Sequence, residues 1–91
     1  MKVNNLPIIK EDERGKIYDC GEFKLITRKK GSISADHTHN EDERLILIDG
    51  KIELTINDEI KIIKAPVKIE IPKNTYHKVK ALTGIKFIEK R

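Results

Sequence analysis

The chain has 91 residues, with 19 Lys and Arg against 15 Asp and Glu and a formal net charge of +4. This length predicts a single domain, residues 1–91, built around one core. The lysines alternate with apolar residues, and the aromatic residues are only two Tyr and two Phe, so the composition argues against a nucleic-acid partner. No hydrophobic run is long enough for a signal peptide or a membrane span, and we therefore expect a cytoplasmic protein without a membrane partner.

The first half of the chain is patterned as short strands. Residues 16–20 and 22–29 alternate apolar and polar side chains on either side of Gly21, and Gly31 ends the second run. Cys20 is the only cysteine, which excludes an internal disulfide and a Cys-x-x-Cys site. We expect Cys20 to be a small, partly buried apolar residue.

The central run, residues 45–48, reads Leu-Ile-Leu-Ile. It is too short for a helix, and its uninterrupted apolar character predicts a strand that is covered on both faces. Asp49 and Gly50 follow as a two-residue hairpin signal of type I′, before a cleanly alternating strand over residues 51–56.

The remaining residues continue the alternation almost to the end of the sequence. Asn57 and Asp58 predict a turn. Pro72 with Asn74 two residues later predicts another turn that needs one positive φ, which Asn tolerates better than other residues with a side chain. No stretch has a 3.6-residue period with capping residues. The chain is therefore predicted to be all-β, with eight or so short strands in a small sandwich or barrel.

Three histidines and one glutamate occupy positions that the alternation assigns to the interior. His37 and His39 are two residues apart, so an extended strand would project both to the face that carries Ile33. Glu43 and His77 share parity with apolar neighbours in their own strands. A lone inward histidine is more often a core residue than a ligand, but three imidazoles and a carboxylate together carry a large desolvation penalty unless they are paired or bind an ion. A divalent metal ion meets this need.

The spacing of these residues has a specific pattern. Residues 31–50 fit G-x5-H-x-H-x3-E-x6-G without a gap, through Gly31, His37, His39, Glu43 and Gly50. This is the first motif of the cupin superfamily, which the chain resembles.

The second cupin motif, G-x5-P-x-G-x2-H-x3-N, is partly met by residues 66–81. Pro72 and His77 stand at the right spacing. The two glycines and the asparagine of the motif are replaced by Pro66, Asn74 and Ala81.

The resemblance implies a small jelly-roll β-barrel, the double-stranded β-helix of cupins, holding one divalent transition metal. In metal-binding cupins the ligands are the residues that match His37, His39, Glu43 and His77. Such nitrogen and oxygen donors suit Fe, Mn, Ni, Co, Cu or Zn more than Ca or Mg, and Fe and Mn are preferred because they are the family's most frequent occupants. Small cupins commonly pair through sheet edges and apolar outer faces, so we expect a homodimer with Ile46 and Ile48 at the contact.

Three functions stay open, because cupins include enzymes of several kinds and proteins that only bind ligands. The first is a metal-dependent enzyme acting on a small molecule, a dioxygenase or an isomerase, with Thr27, Thr55 and Thr75 as candidate polar groups beside the metal. The second is a non-catalytic module that binds or senses a small molecule. The third is a metal-free sugar-nucleotide epimerase or ketoisomerase, since residues 12–15 resemble the Asp-x-Arg-Gly of those cupins, although the same four residues also suit a plain turn.

Overall fold

The computed structural model describes residues 1–90, except for the side chains of residues 35–37. Within this part of the chain there are ten β-strands and no helix, so the all-β prediction is confirmed. The strands are β1 (Ile8–Asp12), β2 (Gly15–Asp19), β3 (Phe23–Arg28), β4 (Ile33–His37), β5 (Glu43–Asp49), β6 (Lys51–Ile56), β7 (Glu59–Lys64), β8 (Val67–Ile71), β9 (His77–Ala81) and β10 (Ile85–Lys90). β1 has no counterpart among the predicted strands, because its sequence, Ile-Ile-Lys-Glu-Asp, does not alternate.

The strands form two antiparallel sheets. The larger has six strands in the order β1-β2-β3-β10-β5-β8, and the smaller has four in the order β4-β9-β6-β7. Strands that are adjacent in a sheet are often distant in sequence, as β10 is from both β3 and β5. None of the described residues belongs to a helix of the length and apolarity that crossing a membrane requires.

The hydrophobic core lies between the two sheets. In the larger sheet a row of apolar residues runs across four strands, with Ile17 opposite Ile26, Ile26 opposite Phe87, and Phe87 opposite Leu47. The smaller sheet contributes buried residues from β6 and β9. The buried apolar residues are Ile26, Leu45, Leu47, Ile52, Leu54, Ile69, Ile71, Val79, Ala81, Ile85 and Phe87. Strand alternation thus directs one face of each sheet to the core, as the period-two pattern predicts.

Asp49 and Gly50 do not form the predicted hairpin, because β5 and β6 belong to different sheets. Gly50 has a φ of 97°, and a Cβ atom there would collide with the carbonyl oxygen of Gly84. Asp49 does not share the positive φ, whereas a type I′ turn requires it at both central residues. Since a hairpin and a sheet-to-sheet corner both use a glycine with positive φ, the local sequence does not distinguish them. The second predicted turn is confirmed, because Asn57 and Asp58 connect the paired strands β6 and β7.

The burial of the second face of β5 stays a prediction about an assembly, and the predicted burial of Cys20 is wrong. Ile46 and Ile48 are 44% and 43% exposed, because only the face of β5 that carries Leu45 and Leu47 packs on the core. Cys20 is exposed instead of partly buried. It lies in the turn between β2 and β3, where its backbone N–H donates to the carbonyl oxygen of Phe23 at 2.9 Å.

Candidate functional site

Three of the predicted metal ligands meet at one end of the space between the sheets. Glu43 begins β5, His77 begins β9, and His39 lies in the loop between β4 and β5. One donor atom from each residue lies within 4.8 Å of the others. We refer to His39, Glu43 and His77 as the donor cluster.

The loop that carries His39 is fastened to the turn that precedes His77. The backbone N–H of Asn74 donates to the carbonyl oxygen of His39 at 2.6 Å, and the N–H of Lys73 donates to Asp42 Oδ1 at 2.9 Å. Asn74 has a φ of 60°, which confirms the turn predicted with one positive φ at this residue. The two segments that supply the histidines are therefore held together by backbone hydrogen bonds independently of any ligand.

The exposure of the side chains in the donor cluster increases from His77 through Glu43 to His39. The side chain of His77 is 1% exposed, that of Glu43 13% and that of His39 43%. His77 Nε2 lies 2.8 Å from Glu43 Oε2, and His39 Nε2 lies 3.4 Å from Glu43 Oε1. The two imidazole centroids are 5.6 Å apart. The prediction of an inward-facing side chain holds for His77 and for Glu43. His39 lies at the more exposed edge of the donor cluster.

The orientation of His77 determines which of its nitrogens faces Glu43. Nδ1 lies 3.1 Å from the carbonyl oxygen of Thr75, and since a carbonyl oxygen only accepts, Nδ1 carries the hydrogen. In the neutral ring Nε2 then presents a lone pair toward Glu43 Oε2, a buried atom that accepts no hydrogen bond from the described residues. With Nε2 unprotonated, the two lone pairs repel each other at 2.8 Å unless a cation, either a proton on Nε2 or a metal ion, lies between them.

This arrangement fits a metal ion. Neighbouring donors that are each about 2.0–2.2 Å from one ion lie about 3.0–3.5 Å apart, close to the two nitrogen–oxygen distances observed. A ligating histidine also commonly donates its other ring N–H to a carbonyl, as His77 does to Thr75. The residues present therefore suit a divalent metal on grounds of donor type, spacing and outer hydrogen bonding.

The side chain of His37, the fourth predicted ligand, lies outside the described residues. The backbone of His37 ends β4, opposite His77 of β9. The pairing of β4 with β9 shifts register between Ser34 and His37, which marks a β-bulge. Because of this shift, Ile33 is 45% exposed and not on the inner face, contrary to the uninterrupted parity predicted for this strand.

A cavity of about 230 Å³ lies beside the donor cluster, between the two sheets. His39 and Glu43 line it, and Leu45, Val79 and Phe87 form apolar walls. The polar side chains that line it are Arg14, Lys24, Arg28, Ser34 and Glu89, of which the sequence patterns single out only Arg14, within the Asp-x-Arg-Gly sequence.

The threonines predicted as polar groups beside the metal do not line this cavity; they are Thr27, Thr55 and Thr75. The inner face of β3 carries Lys24 and Arg28 instead, in phase with the buried Ile26. The alternating pattern of β3 already places Lys24, Ile26 and Arg28 on one face. However, both faces of β3 carry apolar residues, so the sequence could not identify the inner one.

Residues 12–15 form the turn of a β-hairpin, with Asp12 paired opposite Gly15 between β1 and β2. The turn expected at these residues is therefore present. Arg14 Nη2 donates to Asp12 Oδ2 at 2.9 Å, and the backbone N–H of Arg14 donates to Asp12 Oδ1 at 2.9 Å. These hydrogen bonds lower the pKa of Asp12 to about 2. The same turn brings Arg14 to the lining of the cavity.

Glu89 adds a second carboxyl group to the cavity near Glu43. Burial raises the pKa of Glu89, and the negative charge of Glu43 raises it further. Lys24 lies opposite Glu89 in the pairing of β3 with β10, and its positive charge partly offsets these effects. The lining of the cavity thus combines cationic, anionic and apolar side chains.

Comparison by sequence finds no matching protein-family model and no significantly similar curated protein. Comparison by structure finds several likenesses. The capsular polysaccharide assembling protein CapF from Staphylococcus aureus matches with a TM-score of 0.79 at 20% identity, over 97% of this chain and 28% of that one. The chain therefore spans only 28% of the length of CapF.

Two smaller proteins match over most of both chains. An RmlC-like cupin from Shewanella frigidimarina has a TM-score of 0.75 at 20% identity, covering 92% of this chain and 80% of that one. An RmlC-like cupin family protein with a double-stranded β-helix fold, from Methanocaldococcus jannaschii, has a TM-score of 0.70 at 21% identity, covering 99% and 91%. At these identities the likeness shows the fold, and the predicted cupin fold is confirmed.

Proposed function

We propose that this chain, which has the cupin fold, binds one divalent transition-metal ion through His39, Glu43 and His77. His37 is the fourth ligand that the resemblance to cupins implies. The observation that carries the proposal is the approach of His77 Nε2 to Glu43 Oε2 at 2.8 Å while His77 Nδ1 is committed to Thr75. A bound cation turns this lone-pair repulsion into shared coordination.

The donor set favours some metals over others. Imidazole nitrogens with one carboxylate oxygen suit Fe and Mn, our preferred ions, and also Ni, Co, Cu and Zn. When bound, such an ion supplies a Lewis-acidic centre with at least one coordination position for water or a substrate atom.

We propose further that the chain is a metal-dependent enzyme acting on a small molecule, of dioxygenase or isomerase type. The cavity beside the donor cluster supports this, because it offers room for a ligand next to the exposed side of His39. Leu45, Val79 and Phe87 give it an apolar wall. The hydrogen bond from His77 to Thr75 fixes the ring that holds the deepest donor.

One observation favours a second candidate, a metal-free enzyme acting on a sugar nucleotide. Arg14, in the Asp-x-Arg-Gly sequence, lines the same cavity as His39. The hydrogen bond between Arg14 and Asp12 weakens this alternative, because it occupies N–H donors of Arg14 that a phosphate group would need. A module that binds or senses a small molecule without turnover uses the same site and differs only in the absence of a product.

The experiment that tests the metal site is elemental analysis of protein purified without a chelator or an affinity tag. Wild-type protein should carry about one equivalent of a transition metal, and His77→Ala and Glu43→Gln should lose most of it, since each removes a donor. His37→Ala should lose it as well. Glu41→Gln is the matched control, because Glu41 is an exposed carboxylate in the same loop.

Two results would contradict the metal proposal. One is wild-type protein that stays free of metal after reconstitution with Fe(II), Mn(II) or Ni(II). The other is unchanged metal content in His77→Ala. Binding of a nucleoside diphosphate to metal-stripped protein would then favour the sugar-nucleotide enzyme. Oxygen uptake or substrate turnover by metal-loaded protein separates the enzyme from the binding module.

We also propose that the chain forms a homodimer through the outer face of the larger sheet. Ile46, on this face, lies opposite Ile88, which lies opposite Leu25, and Leu25 lies opposite Tyr18. This row of apolar side chains crosses four neighbouring strands. Such a continuous apolar face is typical of a surface that is covered in an assembly.

A further inference from the structure

Arg28 is a buried arginine beside the donor cluster. It ends β3 on the inner face of the larger sheet and is 8% exposed. Its side chain lines the same cavity as His39 and Glu43. Arginine is rarely this buried unless an anion accompanies it, because desolvation of the guanidinium group is costly.

The hydrogen bonds of Arg28 are incomplete. One terminal nitrogen, Nη1, donates to the carbonyl oxygen of Thr27 at 3.0 Å. Nε is buried and has no acceptor among the described residues. No carboxylate of the described residues forms an ion pair with Arg28. Arg14, by contrast, is paired with Asp12. A buried charged donor without an acceptor is strongly unfavourable, so an absent partner is indicated.

The other cations of the cavity have carboxylates to balance them. Arg14 is paired with Asp12, and Lys24 lies opposite Glu89. Burial lowers the pKa of Arg28 and the positive charge of Arg14 lowers it further, whereas the negative charge of Asp12 raises it. Because the carboxylate of Asp12 is bonded to Arg14, Arg28 is left without an ion-pair partner among the described residues.

We infer that Arg28 binds the anionic group, a carboxylate or a phosphate, of the small molecule that enters the cavity. This inference rests on the proposed function, because it assigns the substrate of that site to the class of small organic anions. The guanidinium group offers Nε–H and a terminal N–H in a planar fork, which matches two oxygens of a carboxylate or a phosphate. Nε is buried in this structure, so the guanidinium group must turn toward the cavity for Nε–H to donate to the anion.

The shape of the cavity limits the ligand. The cavity of about 230 Å³ has room for a small ligand only. A compact organic acid or a small phosphate ester fits this space, with its anionic end at Arg28 and its other end toward His39 and Glu43. The apolar walls between these polar ends suit a short hydrocarbon segment.

The test is a nuclear magnetic resonance titration of ¹⁵N-labelled, metal-stripped protein with acetate, succinate and inorganic phosphate. The Nε–H resonance of Arg28, identified by its loss in Arg28→Lys, should shift on addition of at least one anion. Arg28→Gln should raise the Kd of that anion on the order of tenfold to a hundredfold, as the loss of charge-assisted hydrogen bonds predicts. Arg28→Lys keeps the charge without the fork and should give an intermediate Kd.

Arg44→Gln is the matched control, because Arg44 is an exposed arginine outside this cavity and its loss changes the net charge equally. Its Kd should stay within about twofold of the wild-type value, as expected for a remote surface charge. A response to carboxylates alone, or to phosphate alone, supports the inference and identifies the anionic group. If no anion shifts the Arg28 resonance, or if Arg44→Gln weakens binding as much as Arg28→Gln, the inference is overturned.

Repeating the titration with Zn(II)-loaded protein separates this inference from the proposed metal site. Anion binding at Arg28 in protein that takes up no metal would leave the inference intact and remove the metal proposal. If the protein takes up metal but no anion shifts the Arg28 resonance, the metal proposal stands and the inference is overturned.

Discussion

Asp12 is the residue whose local chemistry is most sharply defined. Its carboxylate accepts hydrogen bonds from the side chain and the backbone of Arg14, and these lower its pKa from 3.8 to about 2. The pair closes the β1–β2 hairpin and holds Arg14 at the cavity. A single side chain thereby links the stability of a turn to the composition of the candidate site.

The lowered pKa of Asp12 predicts a pH dependence of stability. Because the folded-state pKa lies below the unfolded-state value, the stabilisation is fully present above the unfolded pKa and is lost as the pH falls through the folded pKa. The melting temperatures of wild type and Asp12→Asn should therefore differ by a constant amount above about pH 5 and converge toward about pH 2. Thermal denaturation at a series of pH values measures this difference.

Arg14→Gln serves as the companion variant for this experiment. It removes the side-chain hydrogen bonds, which are the largest cause of the shift, so most of the convergence should disappear in its background. A melting difference between wild type and Asp12→Asn that stays constant down to about pH 2 would contradict the assignment.

At the scale of elements, the connections between sheets shape the site more than the strands do. The link between β5 and β6 passes Gly50, whose missing side chain makes room for the backbone at Gly84. The bulge in β4 places His37 opposite His77. The first feature changes which sheet a segment joins, and the second changes which residues of β4 face inward. Neither is visible in the alternation of the sequence.

The corner at Gly50 can be tested against a glycine that lacks the close approach. Gly21 also has a positive φ, 81°, but nothing lies within 4 Å of a Cβ built there. Gly21→Ala should destabilise the fold by about 1–2 kcal/mol, the penalty of a left-handed conformation. Gly50→Ala should add about 1–3 kcal/mol more, because the new Cβ meets the Gly84 carbonyl oxygen.

Urea denaturation of the two variants measures these free energies of unfolding. Equal destabilisation of Gly50→Ala and Gly21→Ala would show that the contact with Gly84 contributes nothing, and would contradict the role assigned to the corner.

At the scale of the molecule, the two sheets use their faces differently. The inner faces enclose the core and the cavity. The outer face of the larger sheet carries the apolar row that includes Leu25, Ile46 and Ile88. The alternating chain therefore buries one set of apolar residues within itself and leaves a second set on its outer surface, where we propose that a second copy packs.

The dimer proposal predicts a mass twice that of the 10.5 kDa chain in light scattering at micromolar concentration. Ile46→Lys should shift the protein to the monomer, because it places a charge in the apolar row. Ile60→Lys is the control, since Ile60 is 62% exposed and belongs to β7 of the other sheet. A wild-type monomer, or equal effects of the two substitutions, would contradict the proposed interface.

Much of the fold was predictable because period-two alternation is a local property. It identified most strands, the all-β class and the inward parity of Glu43 and His77. The motif spacing from Gly31 to Gly50 indicated the cupin fold, which the structural likenesses confirm. The positive φ of Asn74 followed from turn chemistry alone.

The sequence by itself determined which residue types alternate, where turns fall and which donors are available for a metal. Only the tertiary structure decided that β5 and β6 separate into different sheets and that Lys24 and Arg28 share the inner face of β3. The physical reason is that parity defines two faces without saying which one is buried, and a positive φ permits a hairpin or a corner equally. Pairing with strands that are distant in sequence, such as that of β3 with β10, determines which face is buried and whether the glycine forms a hairpin or a corner.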